Sequence, residues 1–362
     1  RRGIRGDFRG RRGIIAVALT AVSWLVLVAI HRRGVTTPKP VLRAALVDGL
    51  GPDYAEVLQT LPQTPSPSGR PTAWRTTTSR RRYVESVNIV HYGPHGRANL
   101  ADVWRRRDLP RQGKAPVLVQ IPGGAWALGW RRPQAYPLMS HLADRGWVIV
   151  ALNYRVSPRN HWPDHIIDVK RALAWVKENI SDYGGDPNFV AITGESAGGH
   201  LAALAALTPG DPTWQPGFES ADTSVVAAVP IYGRYDWYSA DGEGRREFLG
   251  FLEKFIVGRS IAKYPRIFTD ASPIDRIHGD APPFFVMHGQ YDSVIPVEEA
   301  RAFATEMRNV SKSPVLYAEL PGAQHAFDVF PSPRAHVSAE AVGEFLSWVY
   351  AQREASHRAA TR

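Results

Sequence analysis

Six compact apolar runs recur along the chain, at residues 116–121, 147–152, 189–193, 225–231, 284–288 and 315–320. None shows the in/out alternation of a half-solvated strand, so each must be buried on both faces if it is a strand. Between them lie stretches with helical spacing, such as 163–183 and 297–310. Strand alternating with helix in this way predicts an α/β fold, a mostly parallel central sheet flanked by helices through right-handed crossovers. Ahead of the first run, 84–91 and 98–104 alternate in polarity around Gly93-Pro94-His95-Gly96, which predicts a hairpin.

The residue types that carry chemistry collect just after these runs. Gly194-Glu195-Ser196-Ala197-Gly198 follows the run 189–193 and opens the Ala-rich helical stretch 200–207. That is the strand, turn and helix in which a serine nucleophile is held on a strained elbow, where flanking side chains would collide with neighbouring elements. After the run 116–121 comes Pro122-Gly123-Gly124-Ala125-Trp126. Acyl transfer puts negative charge on the former carbonyl oxygen, and backbone N–H groups without bulky side chains can approach it closely. Gly123 and Gly124, with Ala125, are therefore candidate oxyanion donors from one side, and Ala197, the residue after the serine, from the other. A base and an orienting carboxylate should follow in chain order. Asp292 lies just past the run 284–288 and His325 just past 315–320, so both reach the same carboxyl edge of the sheet as Ser196. Asp328 is the rival acid, but it is close to His325 in sequence. His288 reads as a buried strand-end residue and His200 as a helix residue behind the nucleophile.

The motif Gly194–Gly199, the upstream Gly-Gly loop and the downstream Asp and His resemble the α/β-hydrolase superfamily, in particular the hormone-sensitive-lipase-like carboxylesterases and bacterial lipases. The resemblance spans 84–349 and implies hydrolysis of short or medium acyl esters, without a cofactor, by Ser196, His325 and Asp292. The family's oxyanion loop usually opens with His and three glycines; here Pro122 replaces the His and Ala125 the third Gly. The alternatives are amide or peptide hydrolysis by the same residues, or a non-catalytic hydrolase fold serving as a surface binding module. Between 233 and 282 the chain makes a long excursion containing Tyr235, Trp237, Tyr238, Phe248, Phe251, Phe255 and Phe268. It reads either as a cap over an apolar acyl pocket or as a surface insertion whose aromatics pack on the domain. Trp126 and Ala125, with Trp130, are candidate pocket walls, while Arg131-Arg132 and Arg105-Arg106-Arg107 read as solvated.

The net charge of +10 would suit a nucleic-acid binder if it lay on the folded part. Instead, residues 1–33 carry +7 and 34–82 carry +4, leaving −1 from Tyr83 onward. The charge belongs to a terminal arm, and no nucleic-acid partner is expected. Within that arm, residues 14–30 form an uncharged 17-residue apolar run between Arg11-Arg12 and Arg32-Arg33. With snorkelling arginines this is long enough to span a bilayer, and no small-x-small cleavage site follows it, so an uncleaved anchor is favoured over a secretory signal. Six Arg precede the run and two closely follow it, which puts the N-terminus in the cytoplasm and the rest outside. The division expected is an anchor over 1–33, a short helix and Pro-rich linker over 34–82, and a hydrolase domain over 83–362. The chain has no Cys, which excludes disulfides, thiol catalysis and zinc-cysteine modules. No metal-ligand spacing or nucleotide-binding fingerprint occurs, so no cofactor is expected.

Overall fold

The computed structural model of the chain describes residues 10–61, 73–239 and 243–360. The prolines at 62, 65, 67 and 71 assigned to a linker, and residues 240–242 of the excursion, lie outside them. Eight strands form one sheet: β1 (Ile89–His91), β2 (Leu100–Trp104), β3 (Ala115–Ile121), β4 (Val148–Leu152), β5 (Gly185–Glu195), β6 (Ala227–Ile231), β7 (Phe284–Gly289) and β8 (Val315–Leu320). Their spatial order is β1-β2-β4-β3-β5-β6-β7-β8. The hairpin β1/β2 and the pair β2/β4 are antiparallel; every pairing from β4 to β8 is parallel.

All six apolar runs are strands of this sheet, because each supplies side chains to both of its faces. Along β3, Val117, Val119 and Ile121 join one buried cluster with the helices Asp164–Asn179, Ala197–Leu207 and Val297–Val310, whereas Leu118 joins the cluster on the other face. That second cluster takes in the helices Pro38–Leu50, Tyr136–Asp144 and Pro333–Ala360. The first hairpin segment is shorter than its sequence pattern. Only 89–91 pairs with β2, since β1 is the edge of the sheet and Tyr83 and Val84 turn into the core instead of extending the ladder.

Ahead of β1 in the chain, an apolar helix Arg11–Thr36 is followed almost without interruption by the helix Pro38–Leu50. The first is long and apolar enough to cross a membrane, and only 6% of its most apolar window is buried. The second helix is broken by Gly51, at φ 91°, and by Pro52, so the helix expected over the linker becomes two, Pro38–Leu50 and Tyr54–Gln59. The arginines expected to be solvated are mostly not. Arg131 and Arg132, with Arg80, all pair with Asp102 on β2, a side chain only 1% exposed, and Arg105 is itself buried. Burial alone would raise the Asp102 carboxyl, but Arg132, Arg80 and Arg131 outweigh it and hold it down at about 2.

Candidate active site

The carboxyl ends of β3, β5, β7 and β8 face one edge of the sheet, and each is followed by a loop carrying one part of the site. β5 ends at Glu195 and Ser196 follows with φ 56° and ψ −118°, a conformation that a non-glycine residue holds only under constraint. The constraint is visible: Ser196 N donates to Ile231 O of β6 at 3.0 Å, and the helix Ala197–Leu207 starts at once. Any Cβ on Gly198 would run into the backbone of Ile121, so the close packing of elbow against β3 requires glycine there.

His325 Nε2 lies 3.0 Å from Ser196 Oγ, and His325 Nδ1 lies 2.7 Å from Asp292 Oδ2. The serine hydroxyl can only donate to Nε2 if Nδ1 carries the ring proton, and the carboxylate at Nδ1 selects that tautomer. The Asp292 side chain is fully buried, and its other oxygen accepts from the N–H groups of Val294 and Ile295 at 2.9 and 2.8 Å. His288, also buried, places Nε2 3.3 Å from Asp292 Oδ2 and donates to Ile295 O at 2.9 Å. Desolvation pushes the Asp292 carboxyl up, but hydrogen bonds from His288, His325 and the Ile295 N–H overcome it and hold the group well below the usual carboxylate range. Asp292 therefore stays ionised beside the imidazole. Its loop is tied to the His325 loop by Tyr291 N to Ala323 O at 2.9 Å and Ser293 N to Gln324 Oε1 at 3.2 Å.

The loop after β3 comes up against the serine: a side-chain carbon on Gly123 would lie 3.2 Å from Ser196 Cβ. Gly124, at φ 126°, could not carry one, since it would strike Leu128 O. The Gly123 N–H, however, is not free. It donates to Gln134 Oε1 at 2.7 Å, so of the expected donors Gly123 is occupied, which leaves Gly124 and Ala125 on this side and Ala197 on the other.

Comparison with known proteins identifies the family. The BD-FAE family model matches residues 108–307. The chain is 53% identical to a protein of Mycobacterium tuberculosis named probable carboxylic ester hydrolase LipM, over 92% of this chain and 80% of that one. It is 48% identical to esterase LipQ of the same organism, over 86% and 75%. The chain belongs to the α/β-hydrolase carboxylesterases. A native esterase 2 of the planctomycete Thermogutta terrifontis superposes with a TM-score of 0.61 at 25% identity, covering 73% of this chain and 91% of that one.

In this carboxylesterase, Glu195, Gln120, Gln134 and Tyr232 lie near the site without a role assigned to them from the sequence, and Asp328 takes a different place from that of the rival acid. Glu195, directly before the serine, is buried and accepts from Gln120 Nε2 at 2.8 Å, while its other oxygen has no partner. Asp328 is buried as well and accepts from the Tyr232 hydroxyl, whose ring packs 4.7 Å from the His325 ring. Burial, and next the charge of Asp328, raises the Glu195 carboxyl well above the ordinary carboxylate range. Asp328 thus holds Tyr232 against the ring, and Asp292 is the carboxylate at Nδ1. The only signals in the sequence were the polar identities of Gln120, Glu195 and Gln134 at strand ends and loops.

The pocket expectations fare differently. Ala125 and Trp126 both have positive φ, 50° and 56°, and shape the turn itself. Trp126 is buried and donates to His200 Nδ1 at 3.1 Å, within a nest of Trp162, His200 and Trp237. Burial pushes His200 down to about 3, so it is a neutral ring that accepts from Trp126 and donates from Nε2 to Ala271 O at 2.7 Å. Trp130 is 68% exposed, at the surface past the oxyanion loop. In the excursion, Tyr235, Trp237 and Phe268 are fully buried in the core, and Phe248 packs on Trp126 at 6.3 Å.

Proposed function

We propose that the chain is a serine carboxylic ester hydrolase held to a membrane by its N-terminal helix. Ser196 Oγ attacks the ester carbonyl carbon while His325 Nε2 takes its proton, and Asp292 holds the imidazole and balances the imidazolium. The N–H groups of Gly124, Ala125 and Ala197 receive the oxyanion, each donor being worth about 3 kcal/mol of barrier. Collapse of the tetrahedral intermediate breaks the ester C–O bond, and His325 returns the proton to the leaving alcohol. Water, deprotonated by the same ring, then releases the acid from the acyl-enzyme. Short to medium acyl chains are the expected substrates, with the excursion 233–282 lying over the acyl side where Phe248 meets Trp126.

The observation that carries this reading is the unbroken relay from Asp292 through His325 to a strained Ser196, at 2.7 and 3.0 Å. The anchor reading is supported by the exposed apolar helix Arg11–Thr36, and the arginine excess before its apolar run favours a catalytic domain outside the cytoplasm. Hydrolysis of a p-nitrophenyl ester series, acetyl to palmitoyl, by the full chain in detergent tests the chemistry. Ser196→Ala should lower the rate by several orders of magnitude. Equal rates in the two proteins would refute the assignment.

A further inference from the structure

The apolar helix leaves the domain at the same edge of the sheet that carries the active site. The helix Pro38–Leu50 packs along β8, and its two ends fix its direction. Gly49, near its end, would touch the Leu316 side chain at the start of β8 if it carried a Cβ. Gly34, just before it, would lie 3.7 Å from Pro333 Cβ, where the last helix begins after the His325 loop. The chain therefore enters at the carboxyl edge of β8 and runs toward the amino edge. The apolar helix Arg11–Thr36, continuing the same path backwards, projects past the carboxyl edge.

That edge is also the apolar one. Outside the apolar helix, seven large apolar side chains among the described residues are more than half exposed, and five of them sit on the loops that carry the site. Leu128 and Trp130 follow the oxyanion loop, Tyr291 and Val294 flank Asp292, and Phe330 follows His325. The stretch between Leu128 and Trp130 stays at this edge, since Gly129 packs beside Tyr154 and Val156, just past the end of β4. Scattered single apolar residues need no explanation, but five of them gathered on the loops that carry one site do.

We infer that these side chains rest on the bilayer that the apolar helix enters, so that the Ser196 site opens onto the lipid surface and draws a membrane-resident acyl ester from it. The distance fits. From Ile30, the last residue of the apolar run, to Pro38 is eight residues of nearly continuous helix, about 12 Å. Side chains on loops beyond the sheet edge can bridge that span to the interface. The charges fit too: Arg32 and Arg33 lie between the apolar run and the domain, at the depth of lipid phosphates. Aromatic and aliphatic side chains beside such a basic collar are what an interfacial surface uses. The inference rests on the esterase and anchor readings and adds where the substrate comes from.

Because the chain lacks Cys, a single introduced thiol reports one position. Full-length Phe330→Cys and Lys114→Cys, the second exposed at the opposite edge just before β3, are labelled with an environment-sensitive fluorophore. Each is reconstituted in phosphatidylcholine and phosphatidylglycerol vesicles. The label at 330 should shift to the blue, lose emission to nitroxide-bearing lipids and be shielded from iodide, whereas the label at 114 should do none of these. Equal exposure of both labels to iodide would overturn the inference. Shielding at 330 without quenching by nitroxide lipids would also overturn it, because a second copy of the chain would then be the cover. Hydrolysis of p-nitrophenyl acetate by both labelled proteins checks that they are folded. Its absence in the unsubstituted chain would sink the esterase reading while leaving the lipid contact decided by the labels.

Discussion

At the scale of single residues, the site is governed by which proton each buried group keeps. His325 has three neighbours with distinct tasks: Ser196 at Nε2, Asp292 at Nδ1 and the Tyr232 ring against its face. Asp292 is the one whose charge matters, because its four hydrogen-bond partners hold it ionised and its carboxylate fixes the ring tautomer. Asp292→Asn keeps the shape and removes the charge. It also presents an NH₂ group that can turn toward Nδ1 and favour the wrong tautomer. The expected outcome is a fall in kcat of about 10⁴-fold with little change in KM. Steady-state kinetics on p-nitrophenyl butyrate read both. A loss below about tenfold would mean that Asp328, held near the ring by Tyr232, can take over the role.

At the scale of elements, the helix that follows Ser196 is secured by an unusual group. Lys170, on the helix Asp164–Asn179, is buried with its Nζ donating to Thr208 O at the end of the helix Ala197–Leu207, and it lies 3.5 Å from Thr223 Oγ1. Burial lowers its pKa to about 7, the charge of Asp211 only partly opposing this. In the unfolded chain a lysine keeps its proton to about pH 10.4. Between these values the unfolded state binds more protons, so stability rises with pH from about 7 to about 10 and levels off below 7. Lys170→Met should flatten that rise. Thermal melts of both proteins at pH 7, 8.5 and 10 check it, and parallel pH dependences would show that Lys170 keeps its charge in the fold. The strands were legible because a run buried on both faces has no polar position to hide, as Val117 to Ile121 shows. Lys170 was not, because helical spacing alone does not say that the polar position between Val169 and Arg171 faces inward. The same blindness hid the three-arginine cluster on Asp102 and the Gln134 contact that occupies Gly123, since each joins residues distant in sequence.

At the scale of the whole molecule, the chain order of Ser196, Asp292 and His325 and the placement of the apolar run could be read from the sequence. Their mutual direction could not, because it depends on how the helix Pro38–Leu50 lies on β8. With the apolar helix in a bilayer, as proposed, that direction would make the height of the domain above the lipid a mechanical variable. Arg33 and Pro38 are separated by four residues, of which Gly34 lies beside Pro333. Inserting two helical turns of alanine-rich sequence there, about seven residues, would raise the domain by about 10 Å and turn it little about the helix axis. If the active-site rim works against the lipid surface, hydrolysis of a long-chain diacylglycerol held in vesicles should fall at least tenfold while p-nitrophenyl acetate in solution is cleaved as before. Inserting a flexible Gly/Ser segment of the same length should restore much of the vesicle rate, because the apolar side chains can then settle back onto the surface. Equal vesicle rates for the rigid insertion and the unchanged chain would mean that substrate reaches Ser196 from solution, and that the membrane serves only to locate the enzyme.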